Sequence, residues 1–398
     1  MELEQFLLHP KLKSEYVLLF DLDGTLLETN LCNNCAYEYA LYKVFGNQFN
    51  SALSHLARIT RKDIATLDIG PKEMKQIIQL KQRSFKKNIP NYTVPFITFD
   101  VLLRFYGNNG CYLITTADEA RALNLIQFYE LKQYFAEILF VDSNDKYCNI
   151  ASRLNIDISK IILFEDNVDA IKNAQKNGLN NVVEINSDTL KEYKIITNKF
   201  LAQDTLAFFH LYYRGYQHPL NPNFINDLKN QFDNFPYNQL QNALKELTRY
   251  LQSGISNIYY LLGQKELIVI SIPRAKSESY YSENQKLFRY GISYTVKYLH
   301  DKMKLRLVDG TQFIKRHTNT KTTHLASSNV VNDGDMPYVG ITRNTCNISD
   351  DVIGKDVLLI DDIYTRDVNI DEDAIQALYD KGVHSVIFYS ICKTFKYK

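Results

Sequence analysis

The chain has 398 residues, enough for two domains that each bury a core of ordinary size. Its 46 basic and 45 acidic side chains leave a formal charge of +1, which argues against a nucleic-acid coat or an anionic membrane partner. No apolar run reaches bilayer-spanning length, the first residues mix charge with leucine where a signal peptide would be apolar, and six scattered cysteines form no disulfide framework, so a cytoplasmic protein is expected.

Strand-like apolar runs alternate with amphipathic helical stretches in both halves, the pattern of parallel sheets with crossover helices. The expected fold class is therefore α/β, in two domains. In the first half, strands are predicted over 16–20, 111–115, 137–141, 161–164 and 181–185. An insert of about 26–92 separates the first two and reads as helices over 34–45, 51–61 and 72–87. After Asn186 the chain reads as polar and helical to about Tyr213, then as a proline-bearing stretch from His218 to Pro222. The boundary falls in the neighbourhood of 190–215, giving domains of 1–200 and 201–398. In the second half, strands are predicted over 266–271, 357–360 and 385–389. There is no internal repeat.

Phe20-Asp21-Leu22-Asp23-Gly24-Thr25 directly follows the first strand. Ligands of open α/β sheets sit at the carboxyl ends of strands, so both aspartates belong to that crevice. Buried together they need a cation, and a hard, oxygen-ligated one such as Mg²⁺ suits them. Asp21 reads as a nucleophile toward phosphorus and Asp23 as a general acid and then base, while Gly24 lets the backbone turn close to a phosphate. Thr115 ends the second strand, where it can hold a phosphoryl oxygen. Lys146 follows the third and can neutralise charge. Glu165 and Asp166, with Asp169 behind them, follow the fourth and add carboxylates, so the expected metal set is Asp21, Asp23, Glu165 and Asp166. Four strand-end elements in this order resemble the signature motifs of the haloacid dehalogenase superfamily over about 14–190. The insert resembles the helical cap of its phosphoglucomutase-like branch. The cap offers Lys81, Arg83, Lys86 and Lys87 as substrate contacts, set against the plainer reading of a solvated helix face. Cys32 and Cys35 have no second pair and no nearby histidine, so they read as helix cysteines and not as a zinc or redox site.

In the second half, Asp356-Val-Leu-Leu-Ile-Asp361-Asp362-Ile-Tyr-Thr365 is an apolar strand ending in two acids and a hydroxyl. It resembles the phosphoribosyl-pyrophosphate (PRPP) motif of type I phosphoribosyltransferases, a family whose resemblance covers roughly 240–398. The resemblance implies that Asp361 and Asp362 hold the ribose hydroxyls, that 365–369, with Thr365, Arg366 and Asn369, cradles the 5-phosphate at a helix start, and that Arg274 and Lys276 hold the diphosphate. Arg343-Asn344 and the basic run from Lys315 to Lys321 resemble competence-protein ComF-like members. Asp367 departs from the family, standing where glycine is usual, and an acid beside a phosphate is unfavourable. His317 and His324 lack a second histidine at ligand spacing and read as ordinary surface or core residues.

The two resemblances together imply a bifunctional enzyme acting on small-molecule phosphate esters. A Mg²⁺-dependent phosphatase would work through an aspartyl-phosphate, beside a PRPP-dependent transferase, and the pair would make a nucleoside-like metabolite. Similar pairings are associated with tellurium-resistance-type stress operons, an analogy at the level of the fold. The alternative is a phosphatase regulated by a C-terminal domain that only senses PRPP or a nucleotide. Direct nucleic-acid binding is not expected, since no basic, aromatic-rich strip is present.

Overall fold

The computed structural model describes residues 16–395, apart from 50–51, 54–55, 57, 98, 100–109, 142–145, 216–217 and 324–331; His324 and the first fifteen residues lie outside the described residues. The chain divides into two compact units, Met1–Thr189 and Leu190–Lys398. No helix among the described residues is long and apolar enough to cross a membrane.

The first unit is built on β1 (Val17–Phe20), whose residues Leu18 to Phe20 are fully buried. Such a two-sided apolar run is what the centre of a parallel sheet requires. The insert follows: β2 (Leu27–Glu28), α1 (Asn30–Phe45), α2 (Arg61–Ala65), α3 (Pro71–Tyr92) and β3 (Val94–Pro95). β2 and β3 pair antiparallel, Leu27 opposite Pro95, so the insert leaves and returns through one two-stranded hinge. Its own core joins Tyr37, Leu41, Ile64 and Ile77. The helix expected over 51–61 is absent among the described residues there; the helical turn begins at Arg61, where Thr60 and Asp63 form a reciprocal cap.

Then come β4 (Cys111–Thr115), α4 (Glu119–Phe128), β5 (Glu137–Phe140), α5 (Ile150–Leu154), β6 (Ile161–Glu165), α6 (Val168–Lys176) and β7 (Val182–Glu184). The sheet order is β5-β4-β1-β6-β7, and the pairings between neighbours are parallel. β1 is thus flanked by β4 and β6, and the carboxyl ends of all three face one crevice, at the point where strand order reverses.

In the second unit, β8 (Lys191–Ile195) and β9 (Thr205–Tyr213) are antiparallel partners. This overturns the expected polar helical segment. The run Ala207-Phe208-Phe209-His210 is buried throughout, and its aromatic residues pack as a strand against Phe388 and Tyr389. After them come α7 (Asn223–Lys229), α8 (Tyr237–Leu261), β10 (Leu267–Ser271), α9 (Leu287–Met303), β11 (Leu307–Asp309), β12 (Ile314–Arg316), α10 (Ile341–Thr345), β13 (Cys346–Ile348), β14 (Asp356–Tyr364), α11 (Ile370–Lys381) and β15 (Ser385–Thr394). The main sheet runs β11-β10-β14-β15-β9-β8, parallel except for the β8–β9 edge, while β12 and β13 form a separate hairpin. α9 carries the chain from β10 to β11 on one side and α11 from β14 to β15 on the other, so the order reverses between β10 and β14. The second unit is therefore also α/β, with its own strand-end crevice.

Candidate active site

In the first unit, β1 and β6 run in register, with Phe20 opposite Phe164 and their rings stacked 4.6 Å apart. The Asp21 N–H donates to the Phe164 carbonyl (3.0 Å), which brings Asp21 and Glu165 out side by side where the strands end. Lys146 Nζ bridges them at 2.6 Å to Asp21 Oδ1 and 2.6 Å to Glu165 Oε2. Asp166 completes a cluster in which one carboxylate oxygen from each of Asp21, Glu165 and Asp166 lies within 4.8 Å of the others. Burial pushes the Asp21 carboxyl up to about 7 against the pull of Lys146, and burial, then Asp21 and Glu165, pushes Asp166 to about 8. Lys146 is buried too, a loss that its two carboxylate partners outweigh, so its ammonium is held above the ordinary lysine range.

Three acids and one ammonium leave a net negative, oxygen-only, nearly dry donor set, which fits a hard divalent cation. The three acids differ in what they can give it. Glu165 Oε1 accepts from the backbone N–H groups of Asp166 (3.1 Å) and Asn167 (3.0 Å), while Oε2 accepts from Lys146 and, through a short bond, from the Tyr147 hydroxyl. With four donors on it, Glu165 orients the lysine and the turn. Asp21 and Asp166 have the freer oxygens. Gly24 makes the close approach possible: its φ is +86°, and a Cβ built there would meet Asp166 Oδ2 at 2.1 Å. Thr115 is buried at the end of β4, where its hydroxyl accepts from the Ala117 N–H (3.1 Å) and shapes the turn.

Asp23 stands apart from the expected metal set, because its carboxylate is not in the cluster. Arg121 on α4 holds it with both guanidinium nitrogens (3.0 and 2.5 Å), the Thr29 hydroxyl donates at 2.6 Å, and Arg58 of the insert lies 3.8 Å away. Burial alone would raise this acid; the two guanidinium groups overcome it and hold Asp23 well below the usual carboxylate range. Asp169 also departs from its expected place, being solvent-exposed beside Lys172. Of the cap cations, Lys81 is buried and turned inward, whereas Arg83, Lys86 and Lys87 are exposed. Cys32 donates to the Phe85 carbonyl, and burial pushes both Cys32 and Cys35 up to about 12, so neither thiol is primed for metal or redox chemistry. Arg121, Arg58, Thr29 and Tyr147 were missed in the sequence. Only Arg121 left a signal, a basic residue in the first helical turns after a strand-end threonine.

In the second unit the crevice between β10 and β14 brings the 272–276 loop beside the acids, through Ile272 N–H donating to the Ile360 carbonyl (3.0 Å). Asp362 pairs with Lys229 at the end of α7 (3.4 Å), a cation that the sequence gave no reason to single out. Burial and then Asp362 push Asp361 up to about 7. The two cations assigned to a diphosphate are otherwise engaged. Arg274 donates to the carbonyls of Gln285 (2.7 Å) and Lys229 (2.8 Å) and lies over the Tyr281 ring, while Lys276 pairs with Asp333. Arg316 supports that loop from behind, donating to the Arg274 carbonyl and to Thr345 Oγ1, and the ring of exposed His317 bonds to the Thr318 hydroxyl. Arg343 faces Asp380 on the surface, away from the crevice. The predicted phosphate loop is a tight turn, with Val368 N–H donating to the Thr365 carbonyl, Arg366 and Asp367 exposed, and Asn369 left-handed at φ 61°. Thr365 Oγ1 bonds to Thr394 Oγ1 (2.6 Å). The helix that follows opens on Asp371, Glu372 and Asp373, all buried. That first turn is filled by the protein's own buried acids, which weighs against a 5-phosphate there.

The family described as haloacid dehalogenase-like hydrolase matches residues 18–183. Similar solved structures include a haloacid dehalogenase-like family hydrolase of Streptococcus pneumoniae (16% identity, 42% of this chain and 83% of that one, TM-score 0.35). Others are a family IA hydrolase of Entamoeba histolytica (23%, 41% and 81%, 0.32) and CbbY of Rhodobacter sphaeroides in complex with phosphate (17%, 41% and 82%, 0.32). No match was found among curated proteins. The match ends ahead of the second unit, whose chemistry rests on its own residues: the chain carries a haloacid dehalogenase-like hydrolase domain over residues 18–183.

Proposed function

We propose that the first unit is a Mg²⁺-dependent phosphomonoesterase working through Asp21. The observation that carries this reading is the strand-end cluster of Asp21, Lys146, Glu165 and Asp166, which offers a buried carboxylate nucleophile beside one bridging cation. Asp21 and Asp166 would hold the metal, which supplies charge neutralisation so that a carboxylate can approach a phosphate dianion. A carboxylate oxygen of Asp21 attacks phosphorus and the ester P–O bond breaks. The leaving oxygen takes a proton from Asp23. Water then attacks the aspartyl-phosphate, gives its proton to Asp23, and releases inorganic phosphate with Asp21 restored. Thr115 and Lys146 steady the phosphoryl oxygens. For Asp23 to carry a proton, its grip by Arg121 and Arg58 must loosen in the substrate complex. Hydrolysis of p-nitrophenyl phosphate with Mg²⁺, lost on adding a chelator, tests the reading.

For the second unit we propose binding of PRPP or a nucleotide in the β10–β14 crevice, with Asp361, Asp362 and Lys229 facing the ribose. The placement of the 272–276 loop beside these acids supports it. Phosphoribosyl transfer to a base-like acceptor is the fuller reading. The engagement of Arg274 and Lys276 weighs against transfer, and within the sensor reading it favours a nucleotide over PRPP, whose diphosphate would need the same two cations. Calorimetry with PRPP and Mg²⁺ on the full chain, with Asp361 and Asp362 both replaced by Asn as control, decides binding. Pyrophosphate release over a panel of bases then separates transferase from sensor. Absence of PRPP and nucleotide binding would remove both.

A further inference from the structure

Tyr147, the residue after Lys146, takes no part in the proposed reaction, yet it ends on one of the acids of the site. It is fully buried, and its ring lies in the core with Leu19, Ile114, Ile150 and Leu163. Its carbonyl accepts the Ile150 N–H (3.4 Å) where α5 begins, so the ring anchors the backbone next to Lys146. Phenylalanine would fill the same space, whereas a buried hydroxyl must find a partner. The partner is Glu165 Oε2, the oxygen that also accepts from Lys146 Nζ at 2.6 Å. Burial and the charge of Glu165 hold the phenol well above its ordinary range, so it stays a donor. Two consecutive residues thus converge on one oxygen, with the ammonium 5.2 Å from the centre of the Tyr147 ring. Both oxygens of Glu165 are then occupied, Oε1 by the N–H groups of Asp166 and Asn167, Oε2 by the ammonium and the phenol. A buried carboxylate that loses a donor turns toward the nearest cation, because its charge is otherwise left uncompensated. Without the phenol, Glu165 would draw Lys146 closer or swing toward the metal held by Asp21 and Asp166. The first movement withdraws the ammonium from the phosphoryl oxygens, and the second leaves it without a guide.

We propose that Tyr147 is a positioning residue, whose hydroxyl keeps Glu165 off the metal and Lys146 aimed at the phosphoryl group that meets Asp21. This rests on the phosphomonoesterase reading and adds to it the residue that sets the lysine. Tyr147 itself touches neither substrate nor metal and acts through Glu165 and Lys146.

The test measures, by calorimetry on the full-length chain, binding of Mg²⁺ alone and of inorganic phosphate at saturating Mg²⁺. Tyr147→Phe should lower phosphate affinity about tenfold, the scale of one charge-assisted hydrogen bond, and leave Mg²⁺ affinity unchanged or raised. A residue that only supported the fold would weaken both. The phosphate loss should also run through Lys146. In a Lys146→Met background, Tyr147→Phe should cost no more than about twofold. Equal phosphate affinity in the unaltered and Tyr147→Phe chains overturns the proposal. So does the same loss with and without Lys146, a parallel loss of Mg²⁺, or an unaltered chain that binds no phosphate. A Tyr147→Phe chain that fails to fold by circular dichroism overturns it too, since the hydroxyl would then be structural. Chelator-sensitive turnover of p-nitrophenyl phosphate by the unaltered chain reports separately on the hydrolase reading, so the two can fail independently.

Discussion

Each unit sets acids at the carboxyl ends of adjacent parallel strands, and the two crevices handle them differently. In the first, Lys146 lies between Asp21 and Glu165, Glu165 has donors on both oxygens, and Asp21 and Asp166 are left to meet a cation. In the second, Lys229 pairs with Asp362, Asp361 accepts its neighbour's N–H and meets a further acid in Asp371, and the basic residues of the adjoining loop are bound to backbone carbonyls and Asp333. Acidic strand ends do not by themselves name a ligand. What the neighbouring cations are already holding decides which charges remain for one.

The largest effect expected from breaking this contrast is in the first crevice. Asp21→Asn should lower chelator-sensitive turnover of p-nitrophenyl phosphate by roughly a thousandfold or more, with the circular dichroism spectrum unchanged. Turnover near the unaltered level, with contaminating phosphatase excluded, would move the nucleophile elsewhere. Asp23→Asn comes next. Loss of the proton donor should cost roughly a hundredfold on an alkyl phosphate and distinctly less on the aryl ester, whose leaving group needs little help. Equal losses on both would make Asp23 only an anchor for Arg121.

Arg274→Met probes the second crevice. If the guanidinium is a structural tie, its loss should lower the stability of the second unit by about 2–3 kcal/mol in urea denaturation, since two carbonyls lose charge-assisted donors. A variant of unchanged stability that no longer binds PRPP would return Arg274 to the role the sequence suggested.

Much of this was legible in the sequence because it depends on chain position. Asp21, Thr115, Lys146, Glu165 and Asp166 each follow an apolar run, and a parallel sheet gathers strand ends wherever such runs pair. The helical insert was legible in the same way, since its edges are set by where β1 ends and β4 begins. Side-chain partnerships across the fold were not. Nothing local to Asp23 announces Arg121, 98 positions away, nor does Arg274 announce that two carbonyls will claim it. β8 and β9 were misread for a different reason. Polar and charged residues at 186–204 look helical in isolation, and only pairing with β15 gives Phe208 and Phe209 a buried place.

The smallest expected effect bears on whether the second crevice is left uncompensated. Asp371 opens α11, is buried, and has an Oδ1 that accepts no hydrogen bond among the described residues. Burial and then Asp361 push its carboxyl well above the ordinary range, and Asp361 itself rises to about 7. The unfolded chain loses these protons near pH 4, the folded chain later. Between those values the folded state binds more protons, so the stability these two groups contribute is fully present below pH 4 and is lost as pH rises through 7. Asp371→Asn keeps the shape, removes one charge and offers an amide donor to Asp361. At pH 8 it should raise the stability of the second unit by about 1 kcal/mol, and at pH 4 it should change little. A loss at pH 8 would carry the opposite lesson: the unsubstituted protein then has a bound cation or ligand offsetting these acids, and the second crevice resembles the first more closely than its side-chain contacts indicate.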